Sequence, residues 1–307
     1  MQAIEINDVK KYYGSTKAVD GVSFSIGQGE VFGMLGPNGA GKTTTTEIIE
    51  GLRLPDSGSV SVLGLDLAGH KKQIKNRIGV QLQTTALYPR LTVREVLDLF
   101  STFFNGEKRT TDQLIELVNL QEKQDTLSKD LSGGQRQRLS VALALINKPE
   151  IVFFDEPTTG LDPQARRSMW DTIREIQKSG TTVFLTTHYM EEAQTLCDRV
   201  AVVDAGKIIA LGTPNSLINQ HFQETVIEFN IIGNSPQVGT FAKIKGITKP
   251  GVREDGHVTL YSTDITSSLG GLTDMAKSGT FQFDALNVRR ATLEDVFLKL
   301  TGKHIRE

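Results

Sequence analysis

Apolar positions in the first two thirds of the chain follow two alternating patterns. Short apolar runs at Val31–Leu35, 151–154 and 182–185 give way to stretches with helical spacing, as at 42–51 and 190–197. Strands interleaved with helices in this way predict a mainly parallel sheet covered by helices. Segments 4–10, 21–26 and 59–62 alternate apolar with polar residues, as half-buried strands do, and predict an antiparallel layer at one side. Beyond Leu91 the pattern turns helical, with Val93, Val96, Leu97 and Phe100 near the helical period, so a helical subdomain is expected over about 91–145.

A turn at Gly212-Thr213-Pro214-Asn215 marks a change of character. It divides the chain into a larger domain, 1–215, and a smaller one, 216–307. The second part reads as strand 225–231, a helical piece at 238–244, strands 249–254 and 258–262, helix Ile265–Lys277, strand 281–288 and a final helix at 292–300. That β-α-β-β-α-β order predicts a small ferredoxin-like α+β sandwich. In the final helix Leu293, Val296, Phe297 and Leu300 form the face expected to pack inward.

Composition narrows the function classes. The hydrophobic fraction of 38 % and charged fraction of 23 % are those of a globular protein with a core. A net charge of −2 gives no overall attraction to nucleic acid, and the basic cluster Lys71, Lys72, Lys75 and Arg77 reads as a solvated helix face. Cys197 has no second cysteine to pair with and reads as a small buried hydrophobe in a reducing compartment. The N-terminal residues lack the apolar run of a signal peptide, and nowhere is there the roughly 20-residue apolar stretch a spanning helix needs. Any membrane role therefore falls to a partner.

The strongest chemical signal is Gly36-Pro37-Asn38-Gly39-Ala40-Gly41-Lys42-Thr43, followed by Thr44. It fits the phosphate-binding P-loop pattern and lies between an expected strand and an expected helix. Glycines let consecutive N–H groups converge on phosphate oxygens, and the helix adds its positive end. Lys42 is expected to reach the β- and γ-phosphates of ATP, and Thr43 to ligate Mg²⁺. The run Ile151-Val152-Phe153-Phe154-Asp155-Glu156 predicts a buried strand ending in two carboxylates. At that strand's C-terminal edge Asp155 would hold Mg²⁺, and Glu156 would act as general base toward the attacking water.

Leu131-Ser132-Gly133-Gly134-Gln135-Arg136-Gln137-Arg138 is similar to the signature sequence of ABC (ATP-binding cassette) transporter ATPases. The chain resembles that family over about residues 1–213, and the resemblance places further residues. Tyr13 matches the aromatic that stacks on adenine, and Gln83 the Q-loop glutamine that also reaches the metal. Asp162, in Gly160-Leu161-Asp162, matches the D-loop, and His188 the switch histidine beside the γ-phosphate.

The family's architecture implies that Leu131, Ser132, Gly133, Gly134 and Gln135 act on ATP held by a second subunit. Two chains would then sandwich two nucleotides head to tail, with a homodimer favoured by the intact motif set. It further implies a separate integral membrane permease, no nucleic-acid partner, and a cytoplasmic protein held peripherally on the inner face of the cell membrane. The tail Ala291-Thr292-Leu293-Glu294-Asp295-Val296-Phe297-Leu298-Lys299-Leu300-Thr301-Gly302 resembles that of ABC-2 exporters of drugs, antibiotics and lipids. Export is thus the expected direction, and residues after 215 the expected regulatory or accessory domain. An import ATPase and a soluble ABC protein acting on ribosomes or nucleic acid are the alternatives.

Overall fold

A computed structural model describes residues 1–82, 87–233, 238–252 and 256–302. From the N-terminus the strands are β1 (Gln2–Tyr13), β2 (Thr16–Gly27), β3 (Val31–Leu35), β4 (Ser57–Val62) and β5 (Leu65–Asp66). They continue with β6 (Ile78–Gln81), β7 (Ile151–Asp155), β8 (Thr182–Thr187), β9 (Arg199–Asp204) and β10 (Lys207–Gly212). Among the described residues these make two sheets. One is antiparallel in the order β2-β1-β4-β5, and the other runs β10-β9-β3-β8-β7-β6. In the second sheet β9, β3, β8, β7 and β6 are parallel, and only β10 pairs antiparallel.

The two sheets face each other across one core. Phe24 of β2 stacks on Phe32 of β3 with centroids 5.0 Å apart, Phe32 lies 5.9 Å from Phe184 of β8, and Phe184 5.5 Å from Phe153 of β7. Because β3, β7 and β8 are buried along nearly their whole length, their residues read as continuous apolar runs and not as alternation. Those three strands end side by side, so the loops after Leu35, Asp155 and Thr187 gather at one edge, where ligands bind in open α/β sheets.

The helical subdomain contains Val93–Ser101, Thr111–Leu117 and Gly133–Ala144. Each opens with a reciprocal capping box, Thr92 with Glu95, Thr110 with Gln113 and Ser132 with Gln135, which satisfies N–H groups the helix itself cannot.

Met1–Pro214 forms one compact unit, and a second begins at Asn215. In the second, β11 (Thr225–Ile232), β12 (Ile247–Val252), β13 (His257–Ser262) and β14 (Gln282–Arg290) form an antiparallel sheet in the order β12-β13-β11-β14. With helices Val238–Phe241 and Ile265–Lys277 interposed, this is the split β-α-β arrangement expected from the element order. Ile227, Phe229, Phe241, Leu260, Leu272 and Phe281 form its core. The final helix, Leu293–Thr301, buries Leu293, Val296 and Phe297, with Leu300 only half-buried. Asp295 on that helix accepts from Tyr261 Oη (3.1 Å) and from Arg289 (2.6 Å), whose other guanidinium edge meets Glu228 at 2.7 Å.

One local expectation fails. The segment read as a closing turn is followed by a helix, Pro214–His221. Proline at a first helical position costs no hydrogen bond and has φ already set for a helix, and Leu217 and Ile218 supply its buried side.

Candidate nucleotide site

The loop between β3 and helix Lys42–Ile49 is shaped by glycines that nothing larger could replace. A Cβ on Gly36 would stand 2.2 Å from the Val203 carbonyl oxygen, and one on Gly41 2.2 Å from that of Ala18. Gly41 is also left-handed, with φ of 102°, and no side chain caps the helix it opens. The first backbone N–H groups are therefore left for a ligand, and the helix dipole adds positive potential there.

A cavity of about 640 Å³ lies over this loop, within the range of small-molecule sites. Tyr13, Pro37, Asn38, Gly39, Gly41, Lys42, Thr43, Thr44, Asp155 and Glu156 all line it. Gly36 and Ala40 instead pack backward, Ala40 accepting through its carbonyl from the Gly206 N–H (3.0 Å). Tyr13 stands 43 % exposed at the cavity's rim. Its hydroxyl-bearing ring has Arg53 and Lys11 at 5.5 and 5.7 Å from the centroid.

Lys42 is only 5 % exposed. Its Nζ donates to the Gly36 and Pro37 carbonyls (2.7 and 3.3 Å) and lies 3.7 Å from Glu156 Oε1. Burial pulls its pKa below the ordinary value, while Glu156 and Asp155 oppose that. Asp155 shows the inverse. Burial pushes its carboxyl above the ordinary range and the Glu156 charge adds to this, whereas a hydrogen bond from Thr186 and the charge of Lys42 counteract it. Both shifts have burial in one cavity as their largest cause, each opposed by a neighbouring group of opposite charge.

Glu156 follows β7 with a left-handed backbone, φ of 48°. For a residue with a Cβ this conformation is strained and concentrates at functional sites. Its N–H donates to the Thr186 carbonyl and hydroxyl, both at 3.1 Å, which hold the turn. The carboxylate is thereby brought to His188 Nδ1 (3.2 Å from Oε2), and Thr159 Oγ1 donates to the same oxygen at 3.1 Å. Thr186, which bonds both acidic residues, is a site residue the sequence reading missed. The parallel register sets Asp155 beside Thr186, and that register is invisible before β7 and β8 are paired.

Mg²⁺ suits the oxygen donors present. The exposed hydroxyl-bearing Thr43 and the carboxyl of Asp155 line the same cavity, a hard-oxygen set of the small size that Mg²⁺ uses when phosphates supply further ligands. Among the described residues there is no cluster of three or more His, Cys, Asp or Glu to form an all-protein metal cage. Gln83 lies outside the described residues. Cys197 is buried, and burial pushes its thiol well up, which suits packing and not nucleophilic chemistry.

The signature residues lie elsewhere. Ser132, Gly133 and Gly134 line a separate cavity of about 460 Å³ together with Gly160, Leu161 and Asp162. It shares no lining residue with the first. Ser132 caps helix Gly133–Ala144, Gln135 completes the capping box, and Leu131 is buried beneath. Asp162 caps helix Pro163–Lys178, its Oδ1 accepting from the Ala165 N–H at 2.8 Å.

Glu50, at the end of the P-loop helix, was also not anticipated. Burial, with Asp155 and Glu47 adding to it, lifts its carboxyl from about 4.5 to about 8. The folded chain thus holds this proton more tightly than the unfolded chain does, and stability falls as pH rises from about 4.5 through about 8. Glu50→Gln is expected to raise the melting temperature at about pH 9 and to change it little at about pH 4. At about 1.4 kcal/mol per pH unit the gain has an upper bound on the order of 5 kcal/mol. Thermal melts of both proteins at the two pH values check this.

Among known proteins, the family model described as ABC transporter matches residues 19–159. Nod factor export ATP-binding protein I of Ralstonia nicotianae is 39 % identical over 310 residues, covering 99 % of this chain and 95 % of the relative. Its namesake in a Rhizobium species (strain N33) is 38 % identical over 311 residues, covering 99 % of each. Among solved structures, a Clostridium perfringens cassette described as part of an ABC transporter complex has a TM-score of 0.66 at 25 % identity, covering 72 % of this chain and 92 % of its own. An ATP-binding cassette solved as a dimer in a post-hydrolysis state with ADP and phosphate has a TM-score of 0.62 at 25 % identity, covering 68 % of this chain and 98 % of that one. A phosphate cradle, two carboxylates at a strand end, a signature helix and relatives matched end to end lead to one assignment: the chain belongs to the ATP-binding subunits of ABC transporters.

Proposed function

We propose that this exporter ATPase works as a head-to-tail pair of identical chains, each closing its signature cavity over the nucleotide in the other's P-loop cavity. One observation carries this reading. The two half-sites occupy separate cavities of one chain with no residue in common, which supports a complete site drawn from two chains, and identical chains give it twice by two-fold symmetry. A related cassette is itself described as dimeric with ADP and phosphate.

Within each site Tyr13 stacks on the adenine, the Asn38–Thr44 backbone and Lys42 hold the phosphates, and Glu156 accepts the proton of the attacking water. His188, against Glu156, contacts the γ-phosphate end. The second chain's Ser132, Gly133 and Gly134 add N–H donors and a helix N-terminus, and its Asp162 lies beside them. Thr43 and Asp155, with Gln83, would hold Mg²⁺, which supplies charge neutralisation at the phosphates. ATP contacting both chains favours the closed pair, and loss of the γ-phosphate releases it.

Among the described residues no helix is long and apolar enough to cross a membrane. The cassette does present an apolar groove of about 440 Å³, lined by Leu52, Leu82, Phe100, Phe104 and Leu143. Leu52 and Leu82 are 56 % and 51 % exposed, and contiguous exposed apolar surface of this kind marks a docking site. A separate membrane permease seated there would hold the protein at the inner face of the cell membrane, with the residues from Asn215 onward as an accessory module.

Affinity isolation of tagged chain from detergent-solubilised membranes is expected to recover a protein with several spanning helices. Leu52→Glu is expected to lose that partner while retaining ATP binding. Recovery of ribosomal or DNA-bound proteins instead would overturn the pairing with a membrane subunit.

A further inference from the structure

Burying a carboxylate is costly unless hydrogen-bond donors converge on it. Glu192, on helix Met190–Leu196, has no exposed surface. Its Oε1 accepts from Thr158 Oγ1 at 2.8 Å and from Trp170 Nε1 at 3.1 Å, while its buried Oε2 has no hydrogen-bond partner among the described residues. These two donors come from two elements other than its own helix. Thr158, itself fully buried, lies in the loop from Glu156 to Asp162, and Trp170 belongs to helix Pro163–Lys178; the helix that carries Glu192 begins two residues after His188.

A second set of contacts bridges the same elements. Arg166, in the first turn of helix Pro163–Lys178, contributes its charge to the Glu192 carboxyl. Its guanidinium lies 4.5 Å from the centroid of the Tyr189 ring, which packs 4.2 Å from that of His188. The far end of the loop meets the signature helix, where a Cβ on Gly134 would come 3.1 Å from that of Ala165.

We propose that Glu192 is a positioning residue that fixes the Thr158–Asp162 loop to the His188 turn, so that one chain's two half-sites move together. The proposal rests on the paired-chain reading, in which those half-sites serve different nucleotides. The path runs from the His188 turn along helix Met190–Leu196 to Glu192, across its bond with Thr158 into the loop that ends at Asp162, and on through Ala165 to Gly134. A change at the γ-phosphate end of one nucleotide then displaces the residues this chain lends to the other. An apolar residue of similar size at position 192 would serve packing alone. A carboxyl that accepts from the loop and from helix Pro163–Lys178 fixes both relative to its own helix.

The test compares Thr158→Val with Trp170→Phe in the whole chain. Each removes one donor to the same Glu192 oxygen, but only the first lies on the loop that carries Asp162. Thr158→Val is expected to lower kcat for Mg-ATP hydrolysis about tenfold with KM within about twofold, and to bring the Hill coefficient for ATP toward one. Trp170→Phe is expected to leave kcat within about twofold and the Hill coefficient unchanged, at a loss of Tm equal to or larger than that of Thr158→Val. Equal losses of kcat and cooperativity in both variants, scaling with Tm, would overturn the proposal and leave a purely structural cluster. If the unmodified chain itself shows a Hill coefficient of one, coupling between the half-sites is overturned, and if light scattering also finds it monomeric in Mg-ATP, the paired-chain reading fails. The kcat contrast between the two variants then still decides the role of Glu192.

Discussion

Replacing Glu156 by glutamine is expected to lower ATP hydrolysis about 10²–10⁴-fold while leaving nucleotide binding intact. An amide keeps the shape of the carboxyl and its hydrogen bond with Thr159, but it cannot take a proton from water. The left-handed backbone at φ of 48° and the N–H bonds to Thr186 do not involve the side chain, so the turn should hold. Binding should even gain. Lys42 Nζ rests 3.7 Å from Glu156 Oε1, and removing that charge leaves the ammonium to the phosphate oxygens. With ATP bound and uncleaved, the bridge between two chains persists, and the variant should accumulate as a dimer in Mg-ATP. Light scattering with and without nucleotide checks this. A monomer in saturating Mg-ATP would mean that either the base assignment or the two-chain site is wrong.

How far the site was legible depended on whether its chemistry is local in sequence. The P-loop was legible because a phosphate cradle needs glycines, a lysine and a hydroxyl at fixed spacing. Those constraints act within eight residues, and the structure adds only which glycines are sterically obligatory. Strand Ile151–Asp155 was legible because a strand buried on both faces admits only apolar residues until it reaches the edge of the sheet. Likewise the parallel sheet and the split β-α-β order followed from the alternation of two periodicities, which reports burial directly.

Contacts created by pairing were not legible. Thr186 bonds Asp155 and Glu156 only because β7 and β8 lie in register, and in sequence it is one threonine among several. Glu192 falls within the helically spaced stretch 190–197, where nothing local marks it, because its donors lie 34 and 22 residues away. Glu50 carried no warning either, since its burial comes from neighbours folded over the end of the P-loop helix. Helix Pro214–His221 was misread because Gly-Thr-Pro-Asn supports both a turn and a helix start, and burial of Leu217 and Ile218 decides between them. Signature and P-loop were each legible alone, but their separation into two cavities is a property of the folded chain.

That separation makes the second large prediction. Lys42→Ala should abolish hydrolysis by weakening the hold on phosphate, because no other described lysine lines the P-loop side of the cavity apart from Lys17 on β2. Gly134→Asp should abolish it by another route. There a side chain would start 3.1 Å from Ala165 Cβ and place a negative charge where the helix N-terminus meets phosphate. Each variant alone is expected to lose about 10²-fold or more of the rate. Mixed in equal amounts and exchanged, the two should recover activity. A mixed dimer joins the intact P-loop of the Gly134→Asp chain to the intact signature of the Lys42→Ala chain, while its other site carries both lesions. Random pairing makes half the dimers mixed, so independent sites would restore about a quarter of the unmodified rate. Coupling of the kind proposed for Glu192 would hold recovery below that figure, because the intact site works beside a dead one. No recovery at all, in a mixture shown by light scattering to dimerise, would mean that signature and P-loop act within one chain and that the head-to-tail arrangement is wrong.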